Sequence, residues 1–135
     1  MPEGEEVNKA TVHPADYFFH EEHMWVRLEG DEGVLGISSY AQERLGEVAL
    51  VDLPPLGTRI TQGEPFGTVE SAKVASDLIA PLSGEIIAVN KKLAAEPWLV
   101  NDESYGNGWI LRVRLSNPEK ATELLTSKQY AKRIA

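Results

Sequence analysis

Short runs in which apolar and polar positions alternate dominate this chain, and the period lengthens only near the C-terminus. The runs "YFFHEEHMWVRLEG" and "DEGVLGISS" predict strands, joined through Glu29-Gly30-Asp31-Glu32-Gly33 as a hairpin. Ser39 followed by Gln42 fits a capping box, and Gly46 closes "YAQERL", so a short helix is expected over 39–45. Beyond Gly46, Pro and Gly recur about every ten residues between short β-rich runs, a pattern of small sandwiches and barrels. Near the end, Asn117 as cap, Pro118 at the first helical position and Ala121, Leu124 and Leu125 on one face predict a C-terminal helix over 117–134. In that segment "SKQYAKRIA" either continues the helix or forms a second short one. Residues 1–15 are polar and read as a loose lead-in, leaving 16–135 as one domain.

The β-runs also repeat. Gly46-Glu47-Val48 through Val51-Asp52 resembles Gly84-Glu85-Ile86 through Val89-Asn90, 38 residues on, and Gly67-Thr68-Val69 matches Gly108-Trp109-Ile110 with a small insertion. Two such units predict a quasi-twofold sandwich of intertwined halves, although two copies of short β-runs also arise by chance.

Between the units lies "GTVESAKVASDLIAPLSGEI", which nearly mirrors itself about Lys73-Val74: Ala72 against Ala75, Ser71 against Ser76, Glu70 against Asp77. A two-residue turn at Lys73-Val74 lacks the Gly or Asn that favoured hairpin turns recruit. Like charges directly opposite cost roughly 0.2 to 1 kcal/mol. Glu70 and Asp77 therefore look placed for an outside reader, although an exposed lysine between two carboxylates is by itself ordinary surface chemistry.

Composition narrows the chemistry. With 135 residues and 42% hydrophobic content the chain supports one core. A net charge of -8 opposes binding to nucleic acid and to anionic membranes. There is no cysteine, so thiol or disulfide chemistry requires an attached group. The start "MPEGEEVNKA" has neither a secretory core nor a transit-peptide composition, and a cytoplasmic protein is expected.

Taken together, "VESAKVASDLIAPLSGEI", "HMW", "GIS" with "YAQERLGEV", "VDLPPLG", "VNKKL", "PWLVN" and "YGNGW" resemble the H-protein family of the glycine cleavage system, in order and spacing, from Tyr17 to the C-terminal helix. Biotin carriers share the architecture but flank their lysine with Met, whereas Ala72 and Val74 stand here. The resemblance implies a mostly β barrel-sandwich hybrid whose Lys73 carries lipoate in amide linkage, with Glu70, Ser71, Ser76 and Asp77 recognised at attachment by a lipoate ligase or octanoyltransferase. It implies a carrier that is not itself an enzyme. A pyridoxal-phosphate glycine decarboxylase loads an aminomethyl group on the arm, an aminomethyltransferase removes it, and dihydrolipoamide dehydrogenase reoxidises the dithiol.

The family's cleft for the loaded arm corresponds to Asp77, Met24 and Arg44. Met24 stands where relatives carry an acid, and a thioether accepts only weak hydrogen bonds. Two readings of Met24 follow: drift at a surface position, or a different cargo, since similar carriers serve heterodisulfide-reductase-like sulfur oxidation and lipoyl relay. Ser104, where Pro is common before Tyr-Gly, reads as a loop adjustment. His20 and His23 lack a third metal ligand and take a structural or surface role. Trp25, Trp98 and Trp109 read as core aromatics, and Lys91-Lys92 and Lys132-Arg133 as solvated charges. An unmodified β-sandwich interaction module is the alternative of another class. An autonomous enzyme lacks support, because no nucleophile-base pair or phosphate loop is present.

Overall fold

The computed structural model describes residues 16–135, so the expected lead-in over 1–15 lies outside the described residues. Two sheets share one core. The larger is built from β1 (Phe18–Phe19), β2 (Met24–Glu29), β3 (Glu32–Ile37), β5 (Arg59–Ile60), β8 (Gly84–Val89), β9 (Leu111–Leu115) and β10 (Leu125–Thr126). Its order is β10-β1-β2-β3-β9-β8-β5, and every described pairing in it is antiparallel. The smaller contains β4 (Val48–Asp52), β6 (Pro65–Ser71) and β7 (Ala75–Ile79), in the order β4-β6-β7. Three α-helices complete the described chain: α1 (Ser39–Leu45), α2 (Leu99–Asp102) and α3 (Ser127–Ile134).

Val26, Leu35, Ile37, Ile86, Leu111 and Val113 from the larger sheet meet Val48, Val69 and Leu78 from the smaller in one buried cluster. Each such side chain contributes about 1.5–3 kcal/mol on burial. Tyr17, Phe19, Trp25, Val34 and Tyr130 form a second, aromatic cluster. There the Phe19 and Tyr130 rings stack 4.5 Å apart.

The expected mostly β sandwich is present, and the repeat has a structural counterpart. The first unit's strands pair as β4 with β6, and the second unit's as β8 with β9. Register slips between Val48 and Leu50 in one pair and between Ile86 and Ala88 in the other, the same place in each copy. The β2–β3 hairpin turns at Gly30-Asp31, with Glu29 opposite Glu32, as anticipated.

Three local expectations are corrected. Helix α1 covers 39–45, but its N-cap is Ser38, which is extended (ψ 163°) and accepts from Ala41 N. Ser39 is already helical, and its N–H goes to the Tyr105 hydroxyl (3.0 Å). The continuous helix over 117–134 is interrupted. Pro118–Glu123 forms a 3-10 helix, Leu124 is extended, and Leu125–Thr126 pairs with Phe18–Phe19 before α3 begins. Asn117 makes no side-chain cap bond; the capping box belongs to Thr126 and Gln129. Trp25 is fully buried and Trp109 packs partly buried against the aromatic cluster, but Trp98 is 40% exposed and is not a core residue.

Candidate functional site

The lysine hairpin is centred one residue earlier than its mirror symmetry suggests. Glu70 faces Ala75, Val69 faces Ser76 and Thr68 faces Asp77, so the two central residues are Ala72 and Lys73. Glu70 and Asp77 remain on one face but stand diagonally, which weakens the like-charge penalty attached to a direct pair. The turn also has internal support. Ser71 N donates to Val74 O (2.9 Å), and the Ser71 hydroxyl oxygen accepts from Lys73 N (3.2 Å) and Val74 N (3.3 Å). Among the described residues only His23 combines a side chain with positive φ, so Ala72 and Lys73 turn without left-handed backbone. Ser71 supplies what Gly or Asn would otherwise provide.

The same hydroxyl donates to Leu45 O (2.6 Å) and so pins the hairpin to the end of α1. Asn101 fastens that end from the other side: its amide nitrogen donates to Gly46 O (2.7 Å), and its oxygen accepts from Val48 N (2.8 Å). Gly46 has φ 78° and ψ -172°, a conformation that only glycine adopts without strain. A Cβ there would lie 3.3 Å from Lys73 Cε and 3.8 Å from Lys73 Nζ. The lysine stem therefore lies along this glycine. Lys73 is exposed, and none of the described ion pairs uses its ammonium group. An acyl group could be joined to it without breaking a folded contact, so the residues present fit an amide-linked arm.

Concavities open on two sides of the tip. One, of about 260 Å³, brings together Met24, Arg44 and Asp77, the three positions expected to form a cleft, with Glu22, His23 and Leu78 also lining it. Met24 is only 1% exposed, so it is part of the core wall and not a drifting surface residue. Glu22 was missed in the sequence. Its signal was the second acid of "HEEH", which the sharp turn at His23 (φ 76°) carries to the same cleft as Asp77. Ser76 lines this cleft too, while Glu70 is exposed on the strand opposite. Arg44 stacks its guanidinium over Tyr40, 5.4 Å from the ring centroid.

The second concavity, of about 430 Å³, is lined by Lys73 itself together with Gly46, Ala49, Ala72, Pro97 and Trp98. A larger one, of about 660 Å³, lies beside α2, away from Lys73. Two of the residues lining it are already committed to structure, Tyr105 to Ser39 and Asn101 to the end of α1.

His23 is structural in these surroundings. Its Nδ1 lies 2.8 Å from the Tyr130 hydroxyl, which lies 2.6 Å from Ser38 Oγ. Burial pushes the imidazole pKa down, against Glu22, which raises it, and with Arg44, which lowers it. Burial likewise raises the Tyr130 phenol above its ordinary value. A neutral ring accepting from Tyr130, with Ser38 donating to Tyr130 and accepting from Ala41 N, satisfies every member of the chain. His20 accepts from Glu22 N through Nδ1 (3.0 Å). Ser104 is more than a loop adjustment: it is buried, donates to Val100 O (2.8 Å) and offers its carbonyl to Trp25 Nε1 (3.0 Å). Lys91, Lys92 and Lys132 are exposed as expected, while Arg133 pairs with Glu21 at 2.9 Å.

A fold closed around two related β-units, with an exposed lysine on the hairpin between them, can now be set beside known proteins. The family model for the glycine cleavage H-protein matches residues 17–135. The glycine cleavage system H protein of Symbiobacterium thermophilum is 47% identical over 117 residues, covering 87% of this chain and 91% of that one. Its counterpart in Rubrobacter xylanophilus is 47% identical over 121 residues, covering 90% and 94%. The crystal structure of a glycine cleavage system H protein from Mycobacterium marinum superimposes with a TM-score of 0.83 at 37% identity, covering 90% of this chain and 98% of that one. The lysine hairpin and the two-sheet fold around it thus belong to a chain of the glycine cleavage H-protein family, a family of lipoyl carriers rather than enzymes.

Proposed function

We propose that Lys73 is the residue that bears the lipoyl group, in amide linkage through Nζ, and that this arm serves glycine cleavage. The observation that carries the reading is the placement of an exposed, unpaired lysine at the tip of a hairpin braced by Ser71 and α1, in a chain of this family. When bound, the lipoyl group supplies a dithiolane able to take up an aminomethyl group and to store two electrons as a dithiol.

The protein's own residues hold and orient. Ser71 fixes the backbone of the turn, so a modifying ligase or octanoyltransferase meets Lys73 in one geometry, with Glu70, Ser76 and Asp77 on the strands beside it. On the cleft side, Asp77 and Glu22 offer carboxylates to a cationic load, while Met24 and Leu78 form an apolar wall that excludes water. Two carboxylates at one cleft remove the reason to read Met24 as the sign of another cargo. The partners in this reading are the pyridoxal-phosphate glycine decarboxylase, the aminomethyltransferase and dihydrolipoamide dehydrogenase, and the same reading places the carrier in the cytoplasm with them. Among the described residues no helix is long and apolar enough to cross a membrane.

The test begins with protein incubated with lipoate and lipoate ligase and examined by intact mass. One lipoyl group is expected on the wild type and none on Lys73→Arg. Lipoylated protein is then offered to the glycine decarboxylase with glycine and labelled bicarbonate. Exchange of the carboxyl carbon is expected. Its absence with a fully lipoylated carrier would sink the glycine assignment while leaving attachment at Lys73 intact.

A further inference from the structure

Lys73 does not face both concavities equally. Its stem lies along Gly46 in the groove that Pro97 and Trp98 border, and it is not among the residues lining the cleft of Met24, Arg44 and Asp77. Trp98 is unusual in this position. It precedes α2, is 40% exposed, and no aromatic or cation–π contact to another described residue is assigned to it. Leaving a large aromatic face in water forgoes burial that Trp normally supplies.

We propose that Trp98 and the Lys73 groove form a second berth, one that takes the oxidised, unloaded lipoyl arm. The inference rests on attachment of lipoate at Lys73. The dithiolane is uncharged and carries two polarisable sulfurs, and sulfur is attracted to aromatic rings. Pro97, Ala49 and Leu45 supply further apolar lining, with Glu47 exposed beside them. The tether provides the occupant: a group fixed to Nζ is already inside this groove and samples Trp98 at high effective concentration. The other cleft, with Glu22 and Asp77, suits the cationic aminomethyl state.

The experiment uses lipoylated full-length protein whose modification has been confirmed by intact mass. The indole N–H resonance of Trp98, assigned by its loss in Trp98→Phe, is expected to shift on lipoylation, with nuclear Overhauser contacts from lipoyl methylenes to its ring. Reduction of the oxidised arm by a soluble phosphine is expected to speed up roughly two- to tenfold in Trp98→Ala, the span of a single sulfur–aromatic contact. It should stay near the wild-type rate in Trp98→Phe. A lipoylated protein whose Trp98 resonance matches that of unmodified protein, with equal reduction rates in all three forms, overturns the berth. So does a Trp98→Ala variant that loses affinity for a partner enzyme while its arm is reduced at the wild-type rate and the wild-type Trp98 resonance does not move on lipoylation, since the groove then receives the partner instead. Failure of lipoylation itself is seen first in the mass and takes away the attachment reading along with the berth.

Discussion

Met24 is a cleft residue and a core residue together, and this decides what its replacement does. With 1% exposure it leaves no room for a hydrated carboxylate. Met24→Glu is expected to lower stability by roughly 1–3 kcal/mol at pH 7, the penalty for a buried polar group without a partner. Burial raises the pKa of such a carboxyl, so the deficit shrinks as pH falls toward its unfolded value; urea denaturation at pH 7 and pH 5 measures both effects. Gly46→Ala meets a different limit. Its backbone conformation costs a side chain about 1–3 kcal/mol, and the added methyl would press the Lys73 stem. A lower urea midpoint together with slower lipoylation is the expected pair of results. At this scale Lys73, the lysine proposed to bear the arm, stood out in the sequence through the residue types around it. Trp98 and Glu22 did not, since exposure and the path of the chain after His20 depend on tertiary contacts.

In the hairpin, local chemistry and long-range contact both fix the register. Mirror symmetry in the letters put the turn at Lys73-Val74, but Ser71 binds the amides of Lys73 and Val74 and the carbonyl of Leu45, which centres it on Ala72-Lys73. Removing that hydroxyl in Ser71→Ala is expected to cost about 1 kcal/mol and to slow lipoylation more than it changes the urea midpoint, with Ser71→Thr restoring part of both. The C-terminal segment teaches the same lesson. Pro118 and the Thr126–Gln129 box were readable signals. The break between them was not, because it comes from pairing of Leu125 and Thr126 with Phe19 and Phe18, more than a hundred positions away. Tyr130 then holds α3 to His23 and Ser38. Tyr130→Phe removes both bonds and is expected to cost about 1–3 kcal/mol, visible as faster amide exchange across α3.

Across the whole molecule, His20 and His23 both titrate below the ordinary value of 6.5, chiefly because burial disfavours the charged ring. The unfolded chain therefore binds protons first as pH drops. Stability is fully present above pH 6.5 and declines as pH falls through the lowered folded values. A thermal unfolding series from pH 8 to pH 5 should show this decline, and it should flatten in a His20→Gln/His23→Gln double variant. A slope unchanged by the double substitution would assign the decline to other groups. The repeat in the sequence foretold two related β-units, while the matching slips of register emerge only in the structure. Which sheet each unit joins was hidden, because β1, β2, β3 and β10 enlarge only one of the two.

The closeness of the Lys73 stem to Gly46 would also change the mechanics of an arm joined to that lysine. A side chain laid along its own scaffold does not hinge at the backbone; its first pivot is at the end of the stem, and the radius swept from there is short. The longer sweep opens only after the stem lifts from the glycine. A partner enzyme that grips the hairpin and loosens that contact would lengthen the crane before using it, so reach itself becomes something a partner can grant.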